Sequence, residues 1–76
     1  MYTIHGYKDF KKETIEETIE AFANLGVMIE AVSRESTIIP WYNISIGHYP
    51  HQTYYKMVKD FDEAVEVANQ ILDKEI

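Results

Sequence analysis

Between positions 9 and 25 the apolar side chains return at helical spacing. Ile15, Ile19, Phe22 and Ala23 fall within about 100° on a wheel of 3.6 residues per turn, with Thr18 and Leu25 beside them. Glu13, Glu16, Glu17, Glu20 and Asn24 fill the opposite arc. The pattern predicts an amphipathic helix with two candidate starts, a cap at Asp9 or a capping box formed by Thr14 and Glu17. Gly26 suits the residue after its end, where a left-handed backbone costs least. The period then changes to two. In residues 27–33 Val27, Ile29 and Ala31 share one face and Met28, Glu30 and Val32 the other. A turn at Arg34-Glu35-Ser36 leads back through TIIPWYNISIG, where Tyr42, Ile44 and Ile46 alternate with Trp41, Asn43 and Ser45. Pro40 donates no hydrogen bond to a ladder, so pairing is expected to begin at Trp41 or to bulge at Pro40. After a loop over residues 47–52, residues 53–58 form a third strand, with Tyr55 and Met57 opposed to Tyr54 and Lys56.

The last segment has the most regular pattern. Asp60 and Glu63 have capping-box spacing, and Phe61, Ala64, Val65, Ala68, Ile71 and Leu72 follow the i, i+3, i+4, i+7 rule. Asp62, Glu63, Glu66, Asn69 and Asp73 lie outside that stripe. Residues 2–5 can add a short first strand. The order (β)αβββα predicts one α+β domain over residues 1–76. Its architecture is a two-layer sandwich: a mainly antiparallel sheet of three or four strands with two helices on one face. The core side of the sheet is expected to carry Val27, Ile29, Tyr42, Ile44, Ile46, Tyr55 and Met57, with Ile44 among the most buried residues. Lys-Asp-Phe occurs at both 8–10 and 59–61, but the apolar phase differs after each copy, which fits two separate helix entries better than a duplication.

Charge sharpens this picture. Residues 36–55, STIIPWYNISIGHYPHQTYY, contain no Asp, Glu, Lys or Arg, although the chain has 13 acidic and 7 basic residues and a net charge of −6. A middle strand is the most buried part of a sheet, and an ionised side chain there would need a partner. Burial in the helix-side core does not fully account for Trp41 and Tyr54, which this register places on the face away from the helices, beside Met28, Val32, Lys56 and Val58; Trp41 either meets another molecule there or tucks beneath the loop at His48–Gln52 and closes a satellite core. The acid is concentrated toward the two ends of the chain. A chain of 76 residues without cysteine has a small core and no disulfide or thiolate zinc site. Its start has no signal-peptide pattern, and its apolar runs are too short to span a bilayer. These features lead to the expectation of a soluble, cytoplasmic protein.

Candidate chemistry is sparse. His48-x-x-His51 has metal-like spacing, but a site needs three or four ligands, and Tyr49-Pro50 breaks helical geometry between the two. Ser33, Ser36 and Ser45 sit in no nucleophile or phosphate-binding motif. Carboxylates on a solvated helix face lack the raised pKa that acid catalysis requires. The expectation is therefore no catalytic residue, no metal and no cofactor. The order α-β-β-β-α is also that of double-stranded-RNA-binding domains, but here the last helix opens Asp60-Phe61-Asp62-Glu63, and the negative charge disfavours nucleic acid and anionic membranes alike.

The acidic faces suit a protein partner better. Glu13, Glu16, Glu17 and Glu20 recur at i+3 and i+4, which spaces their carboxylates several ångströms apart, like the phosphates of a nucleic-acid strand. In size and charge the chain resembles small acidic phage and plasmid proteins, anti-CRISPR proteins among them, that block nucleic-acid enzymes with such surfaces. The sequence reading is thus a non-catalytic protein-binding domain, an inhibitor or accessory protein whose partner is a protein such as a nucleic-acid-processing enzyme. Its candidate contact residues are Trp41 and Tyr54 on the sheet, and Glu13, Glu16, Glu17 and Glu20 on the first helix. A homodimer through the sheet face is another use of the same aromatics. The alternative from a different class is a small-molecule-binding or enzymatic domain whose site is assembled by oligomerisation.

Overall fold

The computed structural model describes residues 1–6, 8–32 and 41–75, without the side chain of Glu75. Ser33, the turn expected at Arg34-Glu35-Ser36 and the bulge considered at Pro40 lie outside these residues. The element order is β1 (Tyr2–Ile4), β2 (Phe10–Lys12), α1 (Ile15–Asn24), β3 (Val27–Val32), β4 (Trp41–Ile46), β5 (Thr53–Val58) and α2 (Phe61–Glu75). Strands β3, β4 and β5 form an antiparallel sheet in that order, and β1 and β2 pair separately as a two-stranded antiparallel ribbon. The architecture is the expected α+β sandwich, with both helices on one face of the three-stranded sheet. The first strand does not become a fourth strand of that sheet; it takes β2 as its partner.

The start of α1 is settled by hydrogen bonding. Thr14 is the N-cap: the Glu17 backbone N–H donates to its Oγ1 (3.1 Å), and its hydroxyl donates to the Glu17 carboxylate (3.0 Å). The residues after Asp9 are not helical but form β2. Gly26 follows the C-cap Leu25 with φ of 90°, and its N–H donates to the Ala23 carbonyl (3.1 Å). The buried side of α1 is rotated from the face expected. Thr18, Ala21 and Phe22 are buried, while Ile15 is 39% exposed and Ile19 and Ala23 are only partly covered. Thr18 tolerates full burial because its hydroxyl donates to the Thr14 carbonyl (2.6 Å), leaving no orphan polar group.

In the sheet, Val27, Ile29, Tyr42 and Ile44 face the helices, and Ile44 is fully buried as expected. Three assignments change. Ala31 lies on the core face but is exposed near the end of β3. On β5 the core residue is Val58, opposite Tyr42, rather than Tyr55 or Met57. The cause is a bulge: Ile44 pairs with Lys56 but Ser45 pairs with Tyr54, so Tyr55 is the extra residue and the alternation is reset. Met57, opposite Asn43, therefore joins the face away from the helices. The core closes through α2, where Phe61, Ala64, Val65, Val67, Ala68, Ile71 and Leu72 are buried in one cluster with Ile4 of β1. Val67 and Asn69 fall outside the stripe expected from the sequence, yet both are buried. The sheet covers one flank of α2 and β1 lies along another, with the Tyr2 and Phe61 rings edge to face at 4.9 Å.

Candidate functional site

The helix layer carries the charge. α1 holds Glu16, Glu17 and Glu20 and no basic residue; α2 holds Asp62, Glu63, Glu66, Asp73 and Glu75 against Lys74. The rest of the chain is nearly balanced, with 5 acidic against 6 basic residues. Part of the acidity has a structural purpose. Glu16, Glu17, Asp62 and Glu63 stand in first turns, where carboxylates complement the helix dipole. Glu20 and Glu66 are past that region and gain nothing from it. Glu13, Glu16, Glu17 and Glu20 are all exposed, so the structure brings the three helical glutamates to one solvated surface, with Glu13 just before the cap. Among the described residues the contact between a basic and an acidic side chain is His5–Asp73, with the imidazole Nδ1 3.0 Å from both carboxylate oxygens, an ion pair when the ring is protonated.

β1 is fastened to α2 by a contact absent from the sequence reading. The Asn69 side-chain amide acts as a one-residue strand: its Nδ2 donates to the Thr3 carbonyl (2.8 Å) and its Oδ1 accepts from the His5 N–H (2.8 Å). This satisfies two backbone groups on the edge of β1 away from β2. Two shallow grooves flank the β1–β2 ribbon. One, of about 380 Å³, lies between β1 and α2, with Tyr2 and Val65 among its apolar lining and Asp62, Glu66 and Asp73 along its side. The other, of about 340 Å³, lies between β2 and α1. Phe10, Ala21 and Leu25 line it together with Glu17, Glu20 and Lys12. The Lys12 ammonium sits 5.7 Å from the Phe10 ring centroid, so this second groove already contains a cation.

On the opposite side of the sandwich, the outer sheet face presents Met28, the exposed Glu30 and Val32 of β3, Trp41, Asn43 and Ser45 of β4, and Tyr54 and Met57 of β5. Trp41 is partly buried and faces Val32 across the ladder, with the Lys59 ammonium 5.1 Å from its ring centroid. Tyr54 is 61% exposed and pairs with Ser45. The two aromatics share the face but are not neighbours: Asn43 and Met57 stand between them, and the four-residue step along β4 separates them by about 13 Å. The Asn43 Oδ1 in that gap is buried without a hydrogen-bond partner.

The histidines do not converge. His5 is committed to Asp73, while His48 and His51 lie exposed on the loop after β4, whose turn is closed by the His51 N–H donating to the His48 carbonyl (2.8 Å). That loop contains a cis Tyr49–Pro50 bond. Among the described residues no three His, Cys, Asp or Glu side chains are grouped to hold a metal ion, and no helix is long and apolar enough to cross a membrane. Comparison with protein-family models, with curated proteins and with solved structures finds no match to this chain.

Proposed function

We propose that the chain is a non-catalytic protein-binding domain that docks its acidic helix layer on a basic surface of another protein. The observation that carries this reading is the placement of the charge. Both helices present carboxylates to solvent with Lys74 as the sole basic residue on either, and Asp73 is the carboxylate among them that is paired. Such a surface raises encounter rates with a positive partner and rejects nucleic acid and anionic lipid. An inhibitor or accessory protein of the phage type, occupying the nucleic-acid site of a cytoplasmic enzyme, is the concrete version. Steric fit over a basic groove requires no chemistry from the bound domain, which agrees with the scattered histidines. A second reading uses the outer sheet face, favoured by the exposed Tyr54 ring and the orphan Asn43 acceptor, as a contact for a second copy or a foreign protein.

The test is capture of partners by the immobilised chain, followed by rebinding of each captured protein in purified form. The variant Glu13→Gln, Glu16→Gln, Glu17→Gln, Glu20→Gln is compared with the parent at low and high salt. Binding is expected to fall in the variant and to fall for the parent as salt screens the charges. Binding that resists both changes places the interface on another surface.

A further inference from the structure

We infer that the groove between β1 and α2 is a receiving site for a basic side chain, an arginine of a protein partner. The inference rests on the acidic-layer reading above and adds a position and a ligand chemistry to it. The two grooves beside the β1–β2 ribbon differ in one respect. The groove at α1 contains its own cation, Lys12, held over Phe10. The groove at α2 has no lysine or arginine in its lining; the basic groups that line it are His5, whose ring is taken up by Asp73, and Met1, which forms no ion pair there, and neither sits beside Asp62 and Glu66 as a hydrogen-bond partner. Its carboxylates are Asp62 and Glu66, one turn apart on α2, and Asp73, which His5 already engages. Asp62 and Glu66 are thus left exposed beside an apolar floor that includes Tyr2 and Val65.

That combination describes an amphipathic cation. A long basic side chain lays its hydrocarbon stem on apolar surface and carries its charge past the end of it. A planar guanidinium has donors enough to serve two carboxylates one helical turn apart, where an ammonium offers a single compact charge. The walls of the groove are fixed in advance. Asn69 holds Thr3 of β1 and the following His5 at hydrogen-bond distance from α2, and the Tyr2 ring is set edge to face on Phe61. Little ordering of the protein is needed when the side chain enters, which favours affinity.

The experiment is an amide-resolved NMR titration of the full chain with acetyl-Ala-Arg-Ala-Arg-Ala-amide, and with the same peptide carrying citrulline, the neutral isostere of arginine. The arginine peptide is expected to shift the amides of Tyr2, Thr3, Val65 and Glu66 more than those of α1. The citrulline peptide is expected to bind about fivefold more weakly or worse. Asp62→Asn with Glu66→Gln should weaken the arginine peptide by a similar factor, whereas Glu16→Gln with Glu20→Gln should not; the amide spectrum itself shows whether each variant is folded. Equal shifts along both helices, or binding unchanged by the α2 pair, overturn the groove as a site. If the α1 pair alone abolishes binding, this inference fails while the acidic-layer reading stands.

Discussion

Asn69 shows how a residue's role depends on what the rest of the chain lays against it. On the α2 wheel it belongs with Asp62, Glu66 and Asp73, on the polar side, and nothing local marks it as different. Burial follows from β1, which reaches α2 from 66 residues earlier in the chain. Both backbone groups that the amide serves would otherwise face a helix that offers them no main-chain partner. Replacing Asn69 with Leu keeps the volume and removes both bonds, which costs about 1–3 kcal/mol for each group left unpaired. His5→Ala removes the neighbouring contact with Asp73, a pair whose side chains are 35% and 56% exposed, and so costs about 1 kcal/mol at most. Denaturant titration of the two variants should therefore rank Asn69→Leu well below His5→Ala in midpoint. Equal midpoints would show that β1 is held by Ile4 and Tyr2 alone. Ile44, by contrast, could be placed from its neighbours, because a central residue in an alternating run has few other fates.

At the level of elements, the sequence was legible wherever one strong period ran for two turns or more. Residues 61–72 of α2, β3 and β4 lie where the pattern puts them. The failures come from short or shifted patterns. Phe10-Lys11-Lys12 has good helix formers, so it blends into the helical stretch that follows; only pairing with Tyr2–Ile4, across the register Tyr2–Lys12, Thr3–Lys11 and Ile4–Phe10, makes it a strand. The α1 face is rotated because Thr18, polar in any hydropathy pattern, hides its hydroxyl in its own backbone. The β5 bulge depends on cross-strand geometry that a single strand does not encode. The cap of α1 offers a direct check. Thr14→Ala should lower stability by about 0.5–2 kcal/mol, the usual loss when an N-cap side chain is removed. Asp9→Ala, at the competing start, should stay within about 0.5 kcal/mol, as expected of an exposed position outside any cap. Helix content followed by far-ultraviolet circular dichroism through a thermal melt distinguishes the two; a larger effect at Asp9 would move the helix entry back to the β2 segment.

For the molecule as a whole, the sandwich separates two kinds of surface. One side is a layer of helices bearing nearly all the unbalanced charge; the other is a sheet face with two aromatics, where the carboxylate of Glu30 and the ammonium of Lys59 balance in sign. The candidate sites were legible to the extent that they are properties of composition, as the glutamates on α1 are. The β1–α2 groove was not, because it joins the two ends of the chain. Trp41 is the residue on which the two sides can be told apart. It lies outside the buried cluster, is only partly covered, and stacks against the Lys59 ammonium. A tryptophan in a core loses about 3–5 kcal/mol on truncation to alanine, whereas loss of an exposed cation–π contact costs about 0.5–1 kcal/mol. Trp41→Ala is therefore expected to leave a folded domain with a loss well under the core value. It should also leave the salt-sensitive binding of the helix layer intact, since that layer lies across the sheet. Sedimentation and denaturation measured on the same variant decide the matter. A chain that stays folded but loses self-association makes the sheet face an interface between copies. One that unfolds while monomeric at every concentration makes Trp41 a second core residue, and the outer face then closes on itself rather than on a partner.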